Sequence, residues 1–148
     1  MKGDWNKVKG DQNRVQGNEN LVAGDRNGIE GHKNAVGGSD NTVKGAENVV
    51  LGNENGILNG NKNQIKGSNN LITKGDLNHI EGSENLVQGS GNKLKTNTST
   101  VSGNLNEAIG NKLIIEGSKN LLKGDNSKII GSENWSVGNN NLVFGNKN

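Results

Sequence analysis

The 148-residue chain has no cysteine, no proline and no tyrosine, one Phe and two Trp. Without cysteine there are no disulfides, no thiol catalysis and no thiolate metal sites, and the redox compartment stays open. Only 28% of the residues are hydrophobic, against about 45–50% in an average globular domain. That shortage excludes a two-layer domain with a thick aliphatic and aromatic core. Charge of one sign is also lacking: 17 Lys and Arg stand against 15 Asp and Glu, a net +2. No basic or acidic field therefore points to a nucleic acid or an acidic partner. Apolar runs are only a few residues long, so none suits a membrane span. Met1-Lys2-Gly3-Asp4 shows no signal-peptide pattern. What the chain has in abundance is glycine, 24 residues, together with asparagine. Composition of this kind resembles disorder, unless the order lies in a repeat.

It does. From Gly3 the chain divides into 20 heptads, interrupted by single-residue insertions near Asn59 and Lys74. Position 1 is Gly in 19 of 20, with Thr96 the exception, and position 2 is Asp, Asn or Ser in 18 of 20. Position 4 is Asn in 17 of 20, the exceptions being Ser99, Leu113 and Ser127. Position 6 is Val, Ile or Leu in 18 of 20, failing at Ala108 and Ser136. A coiled coil needs two apolar positions per heptad, and a Gly in each would cost a helix roughly 1 kcal/mol apiece. The pattern reads instead as a turn, Gly-[Asp/Asn/Ser]-x-Asn, followed by a three-residue strand with one β-branched residue.

One such unit buries nothing alone. Two in succession make a coil of 14 residues whose strands face each other, with position 6 inward from both sides. Residues 1–148 are thus expected to form a single all-β domain, a β-solenoid or β-roll with parallel strand ladders. About ten coils at ~4.8 Å each give a stack roughly 50 Å long. Asn at position 4 also points inward, where stacked amides bond along the axis. One or two irregular coils are expected between Lys95 and Ile115, and bulges at the two insertions.

Gly38-Ser-Asp-Asn-Thr-Val-Lys44, Gly67-Ser-Asn-Asn-Leu-Ile-Thr73, Gly82-Ser-Glu-Asn-Leu-Val-Gln88 and Gly138-Asn-Asn-Asn-Leu-Val-Phe144 resemble the repeats of the ryegrass-type antifreeze, or ice-recrystallisation-inhibition, proteins. The resemblance covers essentially the whole chain. It implies a left-handed β-roll with inward Val and Asn ladders, ice as partner at one flat outer face, and an extracellular location. A more distant likeness is to the head repeats of trimeric autotransporter adhesins. Gly, Asn and Val are positions that the fold itself requires, so function must be read from outward positions 5 and 7.

Alternate heptads share a face. One column loses most of its charge from Leu58 onward, with Glu116 and Lys128 as interruptions. The other is uncharged only from Leu21 to Leu51. The candidate ice- or partner-binding residues are Leu71, Thr73, Leu86, Gln88, Thr100, Ser102, Ile114 and Leu142. The chain has only five Thr, fewer than the resemblance implies for an ice face. Two other readings compete: end-to-end assembly into filaments, with Leu121, Trp135, Val137, Leu142 and Phe144 as a contact patch, and adhesin-like surface binding. Nothing favours an enzyme, a cofactor, a metal or a small-molecule substrate. His32 and His79 fall several rungs apart and read as solvated surface residues. Asn97-Thr-Ser99 and Asn134-Trp-Ser136 match glycosylation sequons, the second built on an inward Asn.

Overall fold

A computed structural model describes residues 1–111, 113–124, 126–138, 140 and 142–147. It contains no helix among them. Short strands alternate between two ten-stranded parallel sheets, one beginning with Lys7–Lys9 and the other with Arg14–Gln16. Each strand pairs with the strand two ahead, in a register that carries Val22 onto Val36 and Val36 onto Val50. This is the β-solenoid that two heptads per coil predict.

The core consists of one inward file of side chains from each sheet. Position 6 is buried from Val15 to Ile129, with Val22 at 0% and Val36 at 2% exposure. Val8 and Val143 close it, half-buried, at the two ends. So thin a layer is sufficient because the backbone carries much of the order. At the corners, position 1 and position 3 amides donate to carbonyls one coil back, as Gly17 does to Lys2 (3.0 Å) and Glu19 to Asp4 (3.0 Å). The amides of positions 2 and 4 reach no such carbonyl, and a buried or crowded N–H needs an acceptor.

Side chains supply both. At position 4, Asn34 donates its backbone N–H and its Nδ2 to Asn20 Oδ1, each at 3.0 Å, and its Nδ2 also to the Gly45 carbonyl at 2.9 Å. Both lone pairs of Oδ1 and both hydrogens of Nδ2 are used, which is why an amide holds this buried position so strictly. At position 2, Asp11 N–H donates to Asp25 Oδ1 (2.8 Å) and Ser39 N–H to Asn53 Oδ1 (2.8 Å). The Asx and Ser side chains at position 2 therefore tie each coil to the one before it.

Glycine at position 1 follows from close approach. At Gly31, φ is +143° and a Cβ would fall on the Gly45 carbonyl oxygen. Position 3 is less expected. Among the described residues, nineteen non-glycine residues there, from Trp5 to Lys147, have φ of 56–60°. Their left-handed backbone costs each about 1–2 kcal/mol and is held by the inter-coil bonds on either side.

The irregular region takes a definite form. Lys93–Asn97 and Glu107–Asn111 run to five residues and stay paired through Thr96↔Gly110 and Asn97↔Asn111. Thr96 is buried, its hydroxyl 3.3 Å from that of buried Ser99. Leu113, at an Asn position, is 0% exposed and joins the core in the coil whose inward residues are Ile115 and the small Ala108. The insertions at Asn59 and Lys74 stack on each other at one corner: Gly75 donates to the Asn59 carbonyl (3.2 Å), and the register slips between Ile72 and Lys74.

Candidate functional site

With positions 4 and 6 turned inward, positions 5 and 7 and the corners form the outer surface of the coils. The two sheets present different outer surfaces. On the sheet of Lys7–Lys9, a short uncharged stretch runs from Leu21 and Ala23 through Ala35 and Gly37 to Val49 and Leu51. Lys7 and Lys9 bound it on one side and Gln64 and Lys66 on the other. Beyond it come Lys95–Glu81 (3.9 Å) and Lys93–Glu107 (3.4 Å) ion pairs.

The other sheet has the longer array. Its position-5 file reads Gly56, Leu71, Leu86, Thr100 and Ile114 in direct register. Its position-7 file contributes Leu58, Thr73, Gln88 and Ser102. Leu86 and Ile114 are 39% and 43% exposed. Toward the N-terminus the array ends at the Lys44–Glu30 pair (3.3 Å) and a recess of about 270 Å³ over Gly28, edged by Arg14, Glu30 and Lys44. Toward the C-terminus it ends at Glu116 and Lys128, which pair in register with Ser102 and Ile114.

Seven of the eight candidate residues, Leu71, Thr73, Leu86, Gln88, Thr100, Ser102 and Ile114, are thus contiguous on one sheet. Leu142 lies on the same sheet but beyond Lys128, which separates it from Ile114. The bulge also displaces Thr73: the residue in register with Gln88 is Lys74. That slip puts a cation at the edge of the array, and heptad spacing alone gives no sign of it. The five residues expected to form one contact patch are divided. Leu121, Trp135 and Val137 belong to one sheet, whereas Leu142 and Phe144 lie with the other, where Lys128 Nζ sits 5.9 Å from the Phe144 ring.

The corners carry charge. Arg26 grips Asp40 with Nε to Oδ1 and Nη2 to Oδ2, both 2.7 Å. The hydrogen bond from Arg26 is the largest influence holding the Asp40 carboxyl below its ordinary pKa, and the same bond raises that of Arg26. His32 is no idle surface residue: its Nδ1 accepts the Asn18 N–H at 3.1 Å, filling the position-2 role of an Asx. His79 Nδ1 lies 2.7 Å from Gln64 Oε1. Of the sequons, Asn134 is buried with its Nδ2 on the Gly145 carbonyl, while exposed Asn97 accepts from Ser83. Among the described residues no group of three or more His, Asp or Glu is placed to hold a metal, and no helix is long and apolar enough to cross a membrane.

No curated protein matches the chain in sequence. A family model does: that of the grass antifreeze beta roll, over residues 38–131. The match includes both insertions, the irregular coils and the whole of the uncharged array from Gly56 to Ile114. With the repeat, the parallel ladders and this match in agreement, the chain belongs to the grass antifreeze β-roll family, an ice-binding and not an enzymatic one.

Proposed function

We propose that the protein inhibits ice recrystallisation by binding ice through the outer surface of the Gly56–Ile114 stretch, with Leu71, Thr73, Leu86, Gln88, Thr100, Ser102 and Ile114 as contacts and Leu142 as an outlying one. The observation that carries this reading is the five-rung uncharged file on a single parallel sheet. Parallel pairing repeats side chains at roughly 4.8 Å between rungs and roughly 6.6 Å between positions 5 and 7 along a strand. Branched side chains on such a frame lose little freedom on contact, so the surface is organised before it meets a crystal. Small hydroxyl and aliphatic groups allow neighbouring water to take lattice positions, whereas Lys and Glu orient that water around themselves. The charges at Lys74, Glu116 and Lys128 therefore favour a modest activity that retards grain growth over a large depression of the freezing point.

The test is a recrystallisation assay of the wild type beside Leu86→Lys and Thr100→Lys, with Gln64→Lys on the opposite sheet as control. The two face variants are expected to need roughly tenfold more protein for the same effect, the equivalent of about 1.4 kcal/mol, while Gln64→Lys matches the wild type. Unfolding midpoints should be alike for all four, since all are surface changes. Equal activity in the two face variants and the wild type would remove this surface from consideration.

A further inference from the structure

The chain contains three Asn-Gly pairs, Asn27-Gly28, Asn55-Gly56 and Asn59-Gly60. In such a pair the glycine amide nitrogen can attack the Asn side-chain carbonyl carbon, because no Cβ obstructs the approach, and Asn is a thermally labile residue. The fold treats the three very differently. Asn27 is 1% exposed, with Nδ2 bonded to Asn13 Oδ1 (3.1 Å) and the Gly38 carbonyl (2.8 Å), and Oδ1 accepting twice from Asn41 (3.0 Å each). Asn55 is held the same way between Asn41, Gly67 and Asn70. The nucleophiles are occupied too: Gly28 N–H bonds Asn41 O, and Gly56 N–H bonds Asn70 O, both at 2.8 Å inside strands.

Asn59 shares none of this. It is the inserted residue of the bulge and is exposed, its carboxamide makes no hydrogen bond, and the following Gly60 N–H reaches Lys44 O only at 3.3 Å.

We propose that Asn59 is a site of spontaneous deamidation, and that the asparagine ladder shields the other two pairs from the same reaction. Gly60 nitrogen bonds to Asn59 Cγ, the Cγ–Nδ2 bond breaks, and ammonia leaves with the proton from the Gly60 amide, giving a succinimide. Water then adds to one of its two carbonyls and opens the ring to aspartate or isoaspartate at position 59. Either product places a carboxylate at the corner where Lys74 is the next rung, on the margin of the uncharged array. The proposal does not depend on what that array binds.

The full chain, folded and in urea, is incubated at mildly alkaline pH, digested, and followed by mass spectrometry with isoaspartate-specific detection. In the folded protein, conversion at Asn59 is expected to run at least about tenfold ahead of Asn27 and Asn55, whose reaction must wait for opening of the roll. In urea the three should react at similar rates, and Asn59→Gln should leave the folded chain unconverted. Folded protein that stays intact at Asn59 while the urea sample converts would overturn the proposal. So would equal conversion at all three sites in the folded chain.

Discussion

The two inner corners of the roll begin alike and end differently. At the corner leading into the sheet of Lys7–Lys9, asparagine occupies every rung from Asn6 to Asn134. At the opposite corner the sequence has amides from Asn13 to Asn85, then Ser99, Leu113 and Ser127 before Asn141. All three are buried. The Ser99 hydroxyl still accepts the Leu113 N–H at 3.1 Å, but the Ser127 hydroxyl has no hydrogen-bond partner among the described residues. An inward amide is stabilising because its neighbours are amides. Where one is missing, the rungs beside it lose partners, and an apolar side chain such as Leu113 becomes the better filling.

The comparison breaks most sharply in the middle of the intact ladder. Asn48→Ala removes the acceptor of both Asn63 N–H (3.0 Å) and Asn63 Nδ2 (3.2 Å), and the donor to the Gly60 carbonyl (2.8 Å). Three buried polar groups are stranded at about 1–3 kcal/mol each, so a total on the order of 4 kcal/mol is expected. Ser99→Ala strands mainly the Leu113 N–H and should cost only about 1–2 kcal/mol. Urea unfolding followed by circular dichroism measures both, and equal losses would show that stacking adds nothing.

The broken corner can also be repaired on paper. Thr96 and Ser99 depart from the repeat within one heptad, and each accommodates the other: the threonine side chain lies inward where the shorter serine leaves room. Asn85 Oδ1 now receives only the Ser99 N–H (3.0 Å). An amide at 99 would add a second donor to it and reach the Gly110 carbonyl, as the repeat does elsewhere. Ser99→Asn alone crowds Thr96 and should destabilise, and Thr96→Gly alone loses buried contacts. Together they should recover what each loses, a coupling of about 1–2 kcal/mol in a double-mutant cycle. Additive effects would mean the two departures are unrelated.

Much of this architecture was legible because positions 1, 4 and 6 are constrained by contacts that tolerate few residue types. The buried Val22 and Val36, the amide ladder and the glycine corners all follow from the heptad. The left-handed backbone at position 3 was not, because Trp5, Glu19, Lys33 and Leu77 have only their conformation in common, and the neighbouring bonds impose it. His32 is exposed, as its place in the heptad implies, but its part in the corner was not legible: a lone pair is what position 2 requires, and an imidazole has one. The candidate face was legible as a column of residue types, but its true edge was not. Lys74 replaces Thr73 in register with Gln88 only once the two insertions are seen to stack.

The smallest effect lies outside the second corner, where Arg26 and Asp40 sit over the amides of Asn27 and Asn41. Both side chains are exposed, so solvent and salt screen the pair and its contribution is slight. Its pH dependence nonetheless has a definite sign. The Asp40 carboxyl is held below its ordinary range when folded, chiefly by the hydrogen bond from Arg26. On acidification the unfolded chain therefore takes up this proton first, and the contribution, fully present above the unfolded carboxylate range, is lost as pH falls through the folded value. Asp40→Asn should be slightly less stable than the wild type near neutrality and converge with it in acid or high salt. Asn41→Ala, one position inward at the same corner, should be much less stable at every pH, because none of the groups it strands titrates. Chemical unfolding across a pH series separates the two. A deficit for Asp40→Asn that widened in acid would reverse the sign argued for the outer pair, while a deficit for Asn41→Ala that vanished in acid would show that charge, and not amide stacking, holds the corner.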